Sequence, residues 1–363
     1  MRFGYIGLGR ATRLYHLPAL DRIPGATAVG GVDASPEQRA AWTADTGTPA
    51  YPTLDELLEQ RPDVVVVATP PQVHAEQCIA ALRHGAHVFC EKPFTMTTEE
   101  ADRILAAIDE TGRQVAVNHQ YREKPIFRVL RERIRSEEFG RLAFCQMWQL
   151  MELAPWDEPT PWRAQMARRT LLEGGVHLVD LMIETYGELP EAVYARKSAG
   201  LHEDLDADPV QVVTLEFSGG RLGLITLDRV SKGGTRYLEV RADCEKASLR
   251  ASHGGRAYAQ IGLKRAEPTG IKIDYGLGGL AWAEIGRRRK VLARGPKEMN
   301  VAATGDLLVG AVAAFRSGSE PPSSARQARE VIAVIEAAYE SSETGLRIAM
   351  EGRLVKPGVQ TTY

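Results

Sequence analysis

Five short apolar runs, each followed by a helix-like stretch, constrain this chain more than any other feature. Runs at 2–6, 27–32, 64–68, 87–90 and 114–117 alternate with helical patterns at 15–20, 36–46, 54–59, 72–84 and 97–111, with a short segment near Tyr51. The run at 64–68 is Val-Val-Val-Val-Ala. A strand with one wet face alternates in polarity, so this run requires cover on both sides, as in a parallel sheet between helix layers. Strand–helix–strand repetition of this kind predicts a doubly wound α/β unit of the Rossmann type, with its ligands at the carboxyl ends of the strands.

The loops at those strand ends carry the chemistry. Gly7-Leu8-Gly9-Arg10-Ala11-Thr12 follows the first run directly and precedes a helix. Gly7 suits the tight turn, Gly9 permits close approach to a pyrophosphate, and the helix that begins near Arg10 and Ala11 offers its first N–H groups to phosphate. Thr12 stands where a Gly or Ala usually closes the pattern. The second run ends in Asp33, placed to take the adenosine ribose hydroxyls and to repel a 2′-phosphate, which favours NAD while leaving NADP possible. Thr69, Pro70 and His74 follow the fourth strand, and Asn118 follows the last. His87 to Phe94 reads His-Val-Phe-Cys-Glu-Lys-Pro-Phe, a buried strand that ends in Glu91 and Lys92. A lysine at such an edge can handle protons near neutral pH once it is desolvated.

Beyond Asn118 the period changes, which predicts a Rossmann domain over 1–120 and a substrate-binding and oligomerisation domain over 121–363. After an amphipathic helix from Pro125 to about Glu138, strands are expected at 141–150, 192–198, 210–217, 222–227, 236–242 and 246–251. Ser218-Gly219-Gly220 marks a hairpin between two of them. These strands imply an α+β domain with a large, mostly antiparallel open sheet, helices on one face and a second subunit on the other. Helices at 302–315 and 323–344 close the chain, and the glycines from Gly276 to Gly279 are expected in a loop. Helical spacing puts Glu173, His177 and Asp180 on one face. A carboxyl beside a histidine fixes its tautomer and raises its basicity. The same three residues are also a candidate metal set, although a nicotinamide enzyme needs none.

The 363 residues suffice for two cores, and a net charge of −2 gives no reason to expect nucleic acid or an anionic membrane as partner. Cys78, Cys90, Cys145 and Cys244 are too scattered for a zinc site and suit a reducing compartment. With no signal-peptide pattern and no membrane-length apolar run, a cytoplasmic protein is expected.

Taken together, the glycine loop with His-Leu-Pro-Ala-Leu, Glu-Lys-Pro, Gln-Tyr-Arg, the Trp162-Arg163 pair and Gly-Val-His-Leu-Val-Asp resemble the glucose–fructose oxidoreductase / inositol dehydrogenase / rhizopine-catabolism (Gfo/Idh/MocA) family. The resemblance runs from residue 1 to about 350. It implies an NAD(P)-dependent oxidoreductase acting on a secondary alcohol or ketone of a sugar, cyclic polyol or sugar derivative, assembled as a dimer or tetramer. Lys92 and His177 match the family's catalytic positions, and either can be the proton-transfer group. Glu173, Asp180, Arg122, Trp162 and Arg163 fall at the substrate side. Three departures stand out: Glu173 where the family often has Asp, Ala167-Arg168-Arg169 where it often has three glycines, and Thr12. Arg168 and Arg169 either face solvent or pair with an anionic substrate group. The resemblance also admits glycoside cleavage through transient oxidation, and a non-catalytic dinucleotide sensor.

Overall fold

The structure, a computed structural model, describes residues 1–152, 163, 166, 168–198, 208–232, 237–254, 256–262, 270–276 and 278–355, with 256–262 and 270–276 as backbone only. The chain forms two compact units. One takes in Met1–Glu123 and Asn300–Glu336 with 351–355; the other takes in Lys124–Met299 and Ala337–Met350.

In the first unit, strands β1 (Arg2–Ile6), β2 (Thr27–Val32), β3 (Ala50–Tyr51), β4 (Val64–Val67), β5 (His87–Cys90) and β6 (Val115–Val117) form a parallel sheet. Their order is β3-β2-β1-β4-β5-β6. The order reverses between β1 and β4, and the crevice outside that switch point is where such sheets hold dinucleotides. The four valines of β4 are fully buried, as their unbroken apolar run requires. On one face Val65, Val67, Val88 and Cys90 pack with helices His74–Arg83 and Thr98–Thr111. On the other, Phe3, Tyr5, Val64, Val66 and Phe89 pack with Trp42 and with Leu307, Leu308, Ala311, Val312 and Phe315 of helix Met299–Ser317.

That second face differs from the expected division of 1–120 and 121–363. Residues 300–336 return to the first unit because the sheet exposes an apolar face that its own crossover helices leave open. Asn118 and Arg122 are tied to the returning segment as well, through Thr304 at 3.4 Å and Gln327 at 2.6 Å.

In the second unit, β7 (Leu142–Leu150), β8 (Ala192–Ser198), β9 (Val210–Phe217), β10 (Arg221–Asp228), β11 (Leu238–Cys244) and β12 (Ser248–His253) are followed by a separate hairpin, β13 (Arg256–Gly262) with β14 (Gly270–Gly276). Then come β15 (Gly279–Ile285), β16 (Arg288–Gly295) and β17 (Ile348–Ala349). Nine of these strands join in the order β16-β15-β12-β11-β7-β10-β9-β8-β17. All neighbours are antiparallel except β7 and β10, which run parallel. The Ser218–Gly220 turn joins β9 and β10 as expected. Strands β13 to β16 were not anticipated, and the glycines at 276 and 279 end one strand and begin the next. Helix Pro125–Arg135 packs on β12, β15 and β16, and helix Val176–Tyr186 on β7 and β10. The opposite face carries half-exposed Phe144, Trp148, Leu224 and Trp282. Among the described residues no helix is long and apolar enough to cross a membrane.

Candidate functional site

The glycine loop leaves β1 with Gly7 at φ +83°, where a Cβ would come within 2.6 Å of the Ala68 carbonyl oxygen at the end of β4. Only glycine meets both conditions. Nothing lies within 4 Å of the corresponding point at Gly9, so its backbone is open to approach. Thr12 is buried, and its hydroxyl donates to the Gly7 carbonyl at 2.5 Å. The departure from Gly or Ala is therefore a side-chain clasp across the loop. A continuous helical run from residue 10 to residue 20 follows, π-helical over Thr12–His16.

Asp33 is fixed by backbone amides: Leu8 N donates to Oδ2 at 2.8 Å and Ser35 N to Oδ1 at 2.9 Å. The first of these bonds links the carboxylate to the glycine loop itself. At the next strand end the Thr69 hydroxyl donates to Gln77 at 2.6 Å. His74 is fully buried, with Nε2 facing the Thr69 carbonyl at 2.9 Å and Nδ1 facing those of Pro93 and Phe94 at 3.0 and 3.2 Å. Backbone carbonyls stand at both ring nitrogens, of which a neutral ring donates to one, and this enclosure makes His74 a staple between two loops rather than a group that reaches a ligand.

Glu91 accepts from His16 Nε2 at 2.8 Å and from Asn118 Nδ2 at 2.7 Å on one oxygen, and from Lys92 N at 3.1 Å on the other. Burial pushes its pKa up. The bonds from His16 and Asn118, with the charges of His16 and Lys92, outweigh burial and hold it at about 2. A fixed anion thus stands directly before half-buried Lys92. His16 completes this set and was not singled out from the sequence, where a histidine inside an apolar helix carries no local signal. The Oδ1 atom of buried Asn118 lacks a partner.

In the second unit the predicted helix splits: Thr170–Gly175 is π-helical and Val176–Tyr186 α-helical. His177 and Asp180 are buried within it. Glu173 is gripped by two arginines, Arg163 Nε at 3.1 Å from Oε1 and Arg169 Nε at 3.1 Å from Oε2. The two expectations for Arg168 and Arg169 therefore separate. Arg169 is buried against Glu173, whereas Arg168 is exposed, pairs with Glu343 at 2.9 Å and lies over the Tyr339 ring. Trp162 lies outside the described residues. Among the described residues no three His, Cys, Asp or Glu side chains are grouped to hold a metal ion.

Asp208 was also missed. Its buried carboxylate accepts from Arg169 N at 3.3 Å, Thr170 N at 2.9 Å and the Tyr339 hydroxyl at 2.7 Å, and that hydroxyl accepts from Leu171 N. These bonds anchor the start of the segment that bears Glu173 and His177.

Comparison with known proteins decides the lineage. A family model described as "Oxidoreductase family, NAD-binding Rossmann fold" matches residues 1–119, and the "GFO/IDH/MocA C-terminal domain" matches 127–250. The chain belongs to the Gfo/Idh/MocA family. Its first unit is accordingly an NAD-binding Rossmann domain. The chain is 32% identical over 209 residues to 1,5-anhydro-D-fructose reductase of Ensifer adhaerens, covering 56% of this chain and 62% of that one. It is 24% identical to D-apiose dehydrogenase of Paraburkholderia graminis, covering 95% and 88%. An oxidoreductase from Agrobacterium radiobacter, solved with NAD+, L-tartaric acid and magnesium, superposes with a TM-score of 0.81 at 17% identity, covering 96% and 98%. Several of the curated relatives, the first two among them, are thus matched over about half to two thirds of their length.

Proposed function

We propose that this protein is an NAD-dependent oxidoreductase that moves a hydride between the nicotinamide and a CH–OH carbon of a sugar, cyclic polyol or sugar derivative. The observation that carries the reading is the strand-end cluster of the first unit, where Lys92 follows an anchored Glu91 on the same sheet edge as the glycine loop and Asp33. The residues fit the cofactor. The amides from Gly7 to Ala11 would hold the pyrophosphate, Asp33 the adenosine ribose, Thr69 and Pro70 the wall beside it, and Glu91, Lys92 and Asn118 the nicotinamide end. When bound, the nicotinamide supplies or accepts the hydride.

The chain's own groups supply position and protons. In the oxidation direction His177 takes the hydroxyl proton of the substrate and returns it in reduction. Lys92 donates a hydrogen bond to the same oxygen and stabilises the charge that develops on it. Glu91, kept ionised, sets a fixed negative charge directly before Lys92. Glu173, Asp180, Arg122 and Arg163 orient the substrate, Glu173 as the centre of an arginine-bound carboxylate. The names of the relatives, a 1,5-anhydro-D-fructose reductase and a D-apiose dehydrogenase, support the sugar class.

The backbone-anchored Asp33 supports a preference for NAD over NADP. The apolar side chains on the uncovered face of the nine-stranded sheet support a homodimer or homotetramer through that face, and the four unpaired cysteines support a cytoplasmic protein. Turnover is tested by reduced-nicotinamide absorbance across a panel of polyols, sugars and ketosugars. Lys92→Ala should bind NAD as the parent does and lose about 10²–10⁴-fold in kcat. Retained turnover would remove Lys92 from the chemistry.

A further inference from the structure

One buried cation in the second unit has no counter-ion among the described residues. Arg229, just beyond β10, is 8% exposed and its Nε has no hydrogen-bond partner. Its Nη1 lies against the Met151 sulfur, a weak acceptor. Among the described residues it meets no carboxylate. By contrast, buried Arg169 is paired with Glu173, and half-buried Arg131 with Glu184. A buried guanidinium kept for structure alone is normally compensated in that way.

The surroundings also have unused polar capacity. Gln149 Oε1 and both amide atoms of Gln211 are buried without partners. Strand register sets Gln149, Leu227 and Gln211 in one row across β7, β10 and β9. Arg229 follows Leu227 by two residues and therefore points to the same face. Gly174 completes the arrangement. A Cβ there would lie 2.2 Å from Arg229 Nη2 and 2.8 Å from Gln149 Oε1. The guanidinium and the amide oxygen therefore pack directly on the Gly174 backbone, three residues before His177, where any side chain would displace them.

We propose that Arg229, with Gln149 and Gln211, forms a subsite for the carboxylate of a polyhydroxylated acid. Nε and Nη2 present two parallel donors that match the two oxygens of a carboxylate. The amide oxygens accept from neighbouring hydroxyls. This subsite names the substrate class of the oxidoreductase and rests on that reading; it abuts Gly174, three residues before His177 on the same helical run.

The test is calorimetric titration of the NAD-saturated protein with hexonic, hexuronic and tetronic acids and with their neutral alcohols and aldoses, alongside turnover. The acid that binds should do so about 10–100-fold more tightly than its neutral counterpart, the range of a charge-assisted bidentate contact. Arg229→Gln should erase that preference. Gln211→Met should weaken acid binding while its Tm stays level or rises, because no pair in the folded chain is lost. Equal binding of acids and neutral compounds, no acid binding at all, or an Arg229→Gln variant that keeps the preference would overturn the subsite. If Arg229→Gln fails to fold, unchanged acid affinity in Gln211→Met would overturn it. Arg229-dependent acid binding without any turnover would uphold the subsite and remove the oxidoreductase reading. Turnover of neutral sugars with no acid preference would do the reverse.

Discussion

The two candidate regions are built on different physical plans. At the strand ends of the Rossmann unit the backbone leads at Asp33, which rests on the amides of Leu8 and Ser35, and contributes at Glu91, which takes the amide of Lys92 beside the side chains of His16 and Asn118. In the second unit side chains take a larger share: Glu173 lies between Arg163 and Arg169, and Asp208 adds the distant Tyr339 hydroxyl to the amides of Arg169 and Thr170. A backbone-built site is set by sheet topology and survives most side-chain changes. A side-chain-built site can be retuned one residue at a time, which suits the half of an enzyme that chooses a substrate.

The sharpest way to break this contrast is Gly7→Ala. With φ at +83° and the Ala68 carbonyl oxygen 2.6 Å from the new Cβ, it should lose roughly 3 kcal/mol or more of stability and its NAD binding. Urea denaturation and a cofactor fluorescence titration read both, and a stable NAD-binding variant would end the backbone argument. Next, Asp208→Ala leaves two buried amides and a hydroxyl unpaired, at a cost of about 2–3 kcal/mol. Its kcat should fall about tenfold while NAD affinity holds, since the damage is confined to the second plan. Tyr339→Phe, which removes one of those bonds, should cost about 1 kcal/mol. Glu173→Gln breaks an ion pair that is 16% exposed and should raise KM more than it lowers kcat; the opposite split would make Glu173 part of the proton transfer.

The smallest effect is a graded loss of stability in acid. Burial draws the pKa of His74 down, and burial beside Arg113 brings His87 to about 4. Burial beside Lys124 brings His253 to about 3. Each imidazole is neutral in the fold, so the unfolded chain binds more protons below pH 6.5. Stability present above that value is therefore lost as pH falls toward 4. Glu91, depressed from 4.5 to about 2, adds a second loss across that lower window. The urea midpoint should drop between pH 7 and pH 5; a flat midpoint there would remove the buried histidines from the account.

Legibility followed the range of the interactions. Gly7, Asp33, Glu91 and Lys92 stand at the ends of apolar runs that announce themselves within a few residues, and the valines of β4 declared their burial directly. The Ser218–Gly220 turn was equally plain. Strands β15 and β16 went unread although Gly286 (φ +59°) marks the turn between them; β16 is rich in arginine, which masks its apolar positions. His16, Asp208 and Tyr339 were invisible for a different reason: each acts on a partner 75 to 131 residues away, and no local pattern encodes such a pairing. The same distance explains Arg169, whose burial depends on how the π-helical segment is anchored. His74 shows the converse, a residue in a suggestive place whose ring is fully used by the scaffold.

The return of helix Met299–Ser317 to the first sheet has a consequence for synthesis. Phe3, Tyr5 and Phe89 are made early, yet Leu307, Leu308 and Phe315, which cover them, leave the ribosome roughly two to three hundred residues later. Until then the nascent Rossmann sheet carries a bare oily side, a natural client for chaperones. A fragment that stops before this helix would expose that side permanently, and the cofactor-binding half of the protein should therefore precipitate when expressed by itself.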